Sequence, residues 1–146
     1  MTTIVYRDGI LAADSLITNL DLRVAQSRKI FSCDRGIGGA VGRLVSAHLF
    51  NVWIQANAPD NPPKADDAEG IFVHPDGTTY LWEGTEQLIP IEGPFFAFGS
   101  GFQLAMGAME CGASAVDAVA VAIKYDSGSG GTIQTIALNG EIKCKP

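Results

Sequence analysis

Short apolar runs punctuated by glycine-bearing turns open the chain. Thr2 to Arg7 and Ile10 to Ala13 read as strands joined by Asp8-Gly9, a dipeptide suited to a tight hairpin turn. Arg28 to Cys33 and Gly36 to Gly42 form a second pair around Asp34-Arg35. The period then changes. Leu44, Val45, Ala47, Leu49, Phe50, Val52, Trp53 and Ile54 cover most of a helical circumference, predicting a helix over Arg43 to Ala56 that is buried on more than one side. Asn57 to Asp67 holds three prolines and predicts an irregular surface loop. Gly70 to His74 and Thr78 to Trp82 flank Pro75-Asp76-Gly77, a further hairpin signal. Gln87 to Ile91 and Phe95 to Phe98 add strand-like material. Gly101 to Glu110 and Ser114 to Tyr125 read as helices separated by Gly112, the second opened by a capping box at Ser114-Ala115-Val116-Asp117. Thr132 to Leu138 is strand-like, and Asn139-Gly140 predicts a last turn into Ile142.

Consecutive hairpins imply antiparallel sheets, and apolar helical segments imply helices covering them, so an α+β domain is expected. The 146 residues fit one compact unit, residues 1–146. With 47% hydrophobic and 18% charged residues, a sizeable core can form. The net charge of −6 and the scatter of ten Lys and Arg speak against a nucleic-acid surface. No apolar stretch reaches the roughly 18 residues of a membrane span, and Thr2 to Ile4 runs straight into a strand without a basic-then-apolar leader. A cytoplasmic protein is expected. The three cysteines, Cys33, Cys111 and Cys144, are odd in number and widely spaced, which favours free thiols. They show no ligand spacing with His48 or His74, so neither a metal nor another cofactor is expected.

Thr2 is the first residue with chemistry to offer. Removal of Met1 would leave it a free α-amine beside its own hydroxyl. A threonine hydroxyl needs a nearby base to act as a nucleophile. An α-amine, with a reference pKa of about 7.7–8.0, is partly neutral near pH 7 and can take that proton. Many proteins begin Met-Thr, so the dipeptide alone decides nothing.

The company Thr2 keeps says more. Met-Thr-Thr-Ile-Val, Asp8-Gly9 and Ala12-Ala13-Asp14-Ser15 resemble the opening of proteasome β subunits and of the bacterial protease HslV. Arg28-Lys29-Ile30-Phe31 resembles the strand bearing their active-site lysine, and Gly39-Ala40-Val41-Gly42 the turn whose amide faces the scissile carbonyl. Phe98-Gly99-Ser100-Gly101 before Ala105 to Ala108 resembles the entry to their third helix. Asp126-Ser127-Gly128-Ser129-Gly130-Gly131 fits the Asp-x-x-Ser-Gly-Gly of their active members. The pieces follow in order through nearly the whole chain.

The resemblance implies a four-layer α/β/β/α sandwich with reduced helical layers and a threonine-type peptidase. Thr2 would be nucleophile and base, Lys29 would favour its developing alkoxide, and Asp14 would hold Lys29 charged and aimed. Asp126 and Ser129 would bond the α-amine, with Ser100 at the same site, and the Gly42 N–H would face the oxyanion. Ile17, Ser27, Ala40 and Leu44 would line the pocket for the residue preceding the cut bond, an uncharged pocket suited to an apolar side chain. A polypeptide substrate, a homo-oligomeric ring and an ATPase unfoldase are the partners it suggests.

Two departures stand out. One helix, not two, precedes the middle hairpin, and the chain ends soon after the strand that follows Gly131. Both fit a minimal, phage-type relative with reduced assembly surfaces. A non-proteolytic amidohydrolase and a catalytically silent ring subunit that retains Met1 stay open beside the peptidase reading.

Overall fold

The computed structural model describes residues 2–138 and, as backbone, residues 142–145. The turn expected at Asn139-Gly140 lies outside the described residues, as does the side chain of Cys144.

The opening hairpin forms as its turn chemistry dictates. Strand β1 (Thr3–Arg7) and strand β2 (Ile10–Ala13) pair antiparallel around Asp8 and Gly9, which both take positive φ. After β3 (Leu16–Asn19) and β4 (Leu22–Gln26) come β5 (Ile30–Cys33), β6 (Gly36–Gly42) and helix α1 (Leu44–Gln55). Strands β7 (Ala68–Val73), β8 (Thr79–Trp82), β9 (Ile89–Ile91) and β10 (Phe95–Gly99) lead to α2 (Phe102–Glu110) and α3 (Ala115–Tyr125). Strands β11 (Ile133–Ala137) and β12 (Ile142–Lys145) follow. A first sheet has the order β10-β1-β2-β11-β12, a second β5-β6-β7-β8-β9, and β3-β4 forms a separate ribbon.

Strand alternation distributes the core. Ile4, Leu11, Ala13 and Ile136 of the first sheet meet Ile30, Ile37, Val41, Ile71 and Val73 of the second. Their neighbours Val5 and Ala12 turn to the opposite face, against Ala105 and Met109 of α2 and Ala118 and Val119 of α3. On the outer face of the second sheet, Phe50, Trp53 and Ile54 of α1 cover Phe72 and Trp82, with the Phe50 and Trp82 rings stacked at 4.4 Å.

This architecture corrects the four-layer α/β/β/α sandwich. Antiparallel strands in three sheets dominate the molecule, and its helices are short, at 12, 9 and 11 residues. The chain is sheet-rich. Residues 57–67, where a second long helix would follow α1, are irregular. Pro59, Pro62 and Pro63 in that segment lack the N–H a helix needs.

Two local expectations also change. Helix α1 buries one side only, because Leu44, Val45, Leu49 and Val52 are exposed. The β3-β4 ribbon was not foreseen: all five residues of β4 are exposed, and its turn places Leu20 and Asp21 at positive φ without a glycine. The cap of α3 forms as read, with Ser114 Oγ accepting from the Asp117 N–H at 3.1 Å. Cys33 and Cys111 are free thiols. No helix among the described residues is long and apolar enough to cross a membrane.

Candidate active site

Strand β1 delivers Thr2 to the point where two cavities meet. The larger, of about 820 Å³, is lined by Thr2, Lys29 and Gly42 together with Ile17, Ser27, Ala40 and Leu44. The smaller, of about 540 Å³, shares Thr2 and Gly42 and adds Ser100 and Phe102. Gly42 ends β6 at φ +111°, a conformation open to glycine, and a side chain there would strike the Asp67 backbone. All four residues read as a substrate pocket therefore share one cavity with Thr2.

Asp14 is the hub beneath it. Fully buried at the end of β2, its Oδ1 accepts the Thr3 N–H at 2.9 Å and Lys29 Nζ at 3.0 Å. Its Oδ2 accepts the N–H groups of Gly130 at 3.0 Å and Leu16 at 3.3 Å. One carboxylate thus joins the start of β1, the lysine and the glycine-rich loop. Lys29 Nζ also donates to the Leu16 carbonyl at 2.7 Å. Burial pulls the Lys29 pKa below its ordinary 10.5, while the charge and hydrogen bond of Asp14 oppose that shift.

Asp126, Ser129 and Ser100 form a second group at the same place. Ser129 Oγ donates to Asp126 Oδ2 at 2.7 Å, and Ser100 Oγ donates to the same oxygen at 2.6 Å. Partial burial alone would raise the Asp126 carboxyl, but these hydrogen bonds and one from the Gly128 backbone hold it below 3.8. Ser129 has a single proton, already given to Asp126, so Thr3 Oγ1 is the donor in its 2.7 Å contact with Ser129 Oγ. The Ser100 N–H donates to the Thr2 carbonyl at 2.8 Å.

Every residue singled out in the sequence is thus gathered around Thr2, through the cavity walls or through hydrogen bonds to its neighbours. The described side-chain partners of Ser129 are Thr3 and Asp126.

Some participants were missed. Thr3 is completely buried, and its neighbour Thr2 masked its separate structural task. Gln134 is buried in β11: its Oε1 accepts the Lys29 N–H at 2.9 Å and its Nε2 donates to the Ser27 carbonyl at 2.6 Å. It fixes the lysine segment from the opposing sheet. Its signal was a polar residue in inward register with Ile136. Phe31, His48, Asn51 and Gln55 also line the larger cavity, and nothing in their spacing distinguished them from other polar or core positions.

No protein-family model matches the chain, and no curated protein matches it in sequence. Among solved structures it is similar to Thiobacillus denitrificans BPH, determined alone and in complex with epoxomicin. The TM-score is 0.63 at 19% identity, covering 92% of this chain and 95–96% of that one. At that identity the likeness is one of fold.

Proposed function

We propose that this chain is a threonine-type peptidase of the proteasome β and HslV kind, with Thr2 as nucleophile once Met1 is removed. The observation that carries the reading is the placement of Thr2 and Gly42 at the junction of two cavities, beside a buried lysine held by a buried aspartate. The α-amine of Thr2 takes the proton of its own hydroxyl, and the oxygen attacks the substrate carbonyl. Lys29 favours the negative charge developing on that oxygen, and the Gly42 N–H serves the carbonyl oxygen of the tetrahedral intermediate. The C–N bond breaks as the amine returns its proton to the leaving group, giving an ester on Thr2. Water, deprotonated by the same amine, then cleaves the ester.

Two further observations support the reading. The fold neighbour was solved with epoxomicin, a proteasome inhibitor. Ring assembly would bury apolar surface that α1 leaves exposed at Val45, Leu49 and Val52.

The deciding experiment combines intact mass with turnover. The purified chain should lack Met1, hydrolyse unfolded polypeptide, and gain the mass of one epoxomicin localised to Thr2. Thr2→Ala should lose both turnover and adduct while remaining folded. Retention of Met1 with no turnover would favour the silent subunit, and cleavage of small amides alone would favour the amidohydrolase.

A further inference from the structure

The two cavities that meet at Thr2 differ in charge. Arg28 and Lys29 line the larger one, and no described carboxylate does. The smaller one reverses this: Asp67 and Glu69 are among its described lining residues, and neither a lysine nor an arginine is. A chain crossing Thr2 from one cavity to the other would meet opposite signs.

Strand register aims Glu69 into the smaller cavity. Glu69 pairs with Val41 across β7 and β6, so both side chains stand on one face of the second sheet. That face is the inner one, because Ile71 and Val73, two and four residues on, enter the core between the sheets together with Val41. The Val41 side chain lies 3.3 Å from where a Cβ on Gly99 would stand, and Val41 and Gly99 both line the cavity. Glu69 therefore ends the inward row of β7 at the cavity beside Thr2, where it is only partly buried.

This is a costly place for a carboxylate. None of the described ion pairs involves Glu69. Burial raises its pKa above the ordinary 4.5, and the charge of Glu83, one step beyond the Gly70–Trp82 pair, raises it further. A cation brought by a ligand would offset both effects. The adjoining walls suit the stem of such a side chain. Val41 and Ala68 are apolar, and Phe102, 44% exposed, is an aromatic partner for a guanidinium or an ammonium.

We propose that Glu69 makes the smaller cavity a subsite for arginine or lysine immediately after the cut bond. The inference rests on the peptidase reading, which gives the larger cavity to the residue before that bond and leaves the smaller to the residue after it. Cleavage then falls on the amino side of basic residues. The cationic lining of the larger cavity disfavours it on their carboxyl side. An acidic side chain in the smaller cavity would meet Glu69 with like charge, and an apolar one would leave Glu69 unpaired.

The test uses the intact protein and internally quenched peptides with Leu before the cut bond and Arg, Lys, Ala or Glu after it, the cut position being read by mass spectrometry. In kcat/KM, Arg and Lys should exceed Ala by roughly tenfold, the scale of one charge-assisted hydrogen bond, and Glu should fall below Ala. Glu69→Gln should bring the Arg-to-Ala ratio towards one. Glu69→Lys should favour the Glu peptide instead, an inversion that a merely structural role would not produce; if that variant does not fold, Glu69→Gln decides. Equal cleavage of the Arg and Ala peptides overturns the proposal, as does preferred cutting on the carboxyl side of Arg, or a ratio unmoved by Glu69→Gln. If no peptide is cleaved, the peptidase reading fails, and an NMR titration with Arg-Ala-Ala-amide and Ala-Ala-Ala-amide decides the subsite separately. Tighter binding of the Arg peptide, lost in Glu69→Gln, sustains the cationic preference; equal affinities end it.

Discussion

Gly99 stands directly against the carbonyl oxygen of Thr2, with no room for even a methyl group between them. Its φ of +98° also belongs to a region that other residues rarely enter. Gly99→Ala should therefore push Thr2 out of place and strain the end of β10, destabilising the fold by about 2 kcal/mol or more. Turnover should fall further than the loss of folded protein explains. Thermal unfolding beside turnover per folded molecule checks this, and a variant with unchanged melting and rate would refute it.

Asp14 and Lys29 form a pair with side chains 0% and 7% exposed. Removing one partner strands the other's charge in the interior. Asp14→Asn should cost roughly 3 kcal/mol or more, measured by denaturant unfolding. Lys29→Met strands the Asp14 carboxylate in turn, so it should also cost stability, and it should abolish turnover. The pH dependence follows from the lowered Lys29 pKa. The folded chain releases this proton more readily than the unfolded one, so this group favours the fold increasingly as pH rises from the folded value towards 10.5. Turnover needs the ammonium and should decline on the same alkaline limb. A rate constant through the ordinary lysine range would contradict the role given to Lys29.

Asp126 predicts the opposite limb. Its folded pKa lies below 3.8 because Ser100, Ser129 and the Gly128 backbone bond the ionised form. Its stabilising contribution is present above 3.8 and fades as pH falls through the folded value. Asp126→Asn should lower the melting temperature at neutral pH and remove part of its acid dependence. A melting curve against pH identical to that of the parent would show that these hydrogen bonds contribute nothing.

The candidate site was more legible than the architecture around it. Asp14, Lys29, Gly42 and Asp126 were singled out because each sits in a short motif that resembles one of the proteasome β and HslV family. The hairpin at Asp8-Gly9 and the cap at Ser114 were readable from local turn and cap chemistry. Layering depends on what packs against what, whereas the proline-rich stretch after α1 was readable as a loop from its composition alone. The β3-β4 ribbon escaped although Leu22, Arg23 and Val24 alternate, because all of β4 is exposed and its turn at Leu20 and Asp21 carries no glycine. Helix α1 misled in the opposite sense: an apolar residue at nearly every position does not say which side will be covered. Gln134 acts through contacts distant in sequence, which local pattern does not encode.

Strand β1 lies between β10 and β2 in the first sheet, one residue beyond the proposed nucleophile. The strand is laced into a sheet interior, with Thr3 bonded to Asp14 through its amide and to Ser129 through its hydroxyl. Thr2 adjoins a strand held on both sides by neighbouring strands. On the peptidase reading, its reach towards a peptide would be set by the sheet, and the peptide would have to adjust.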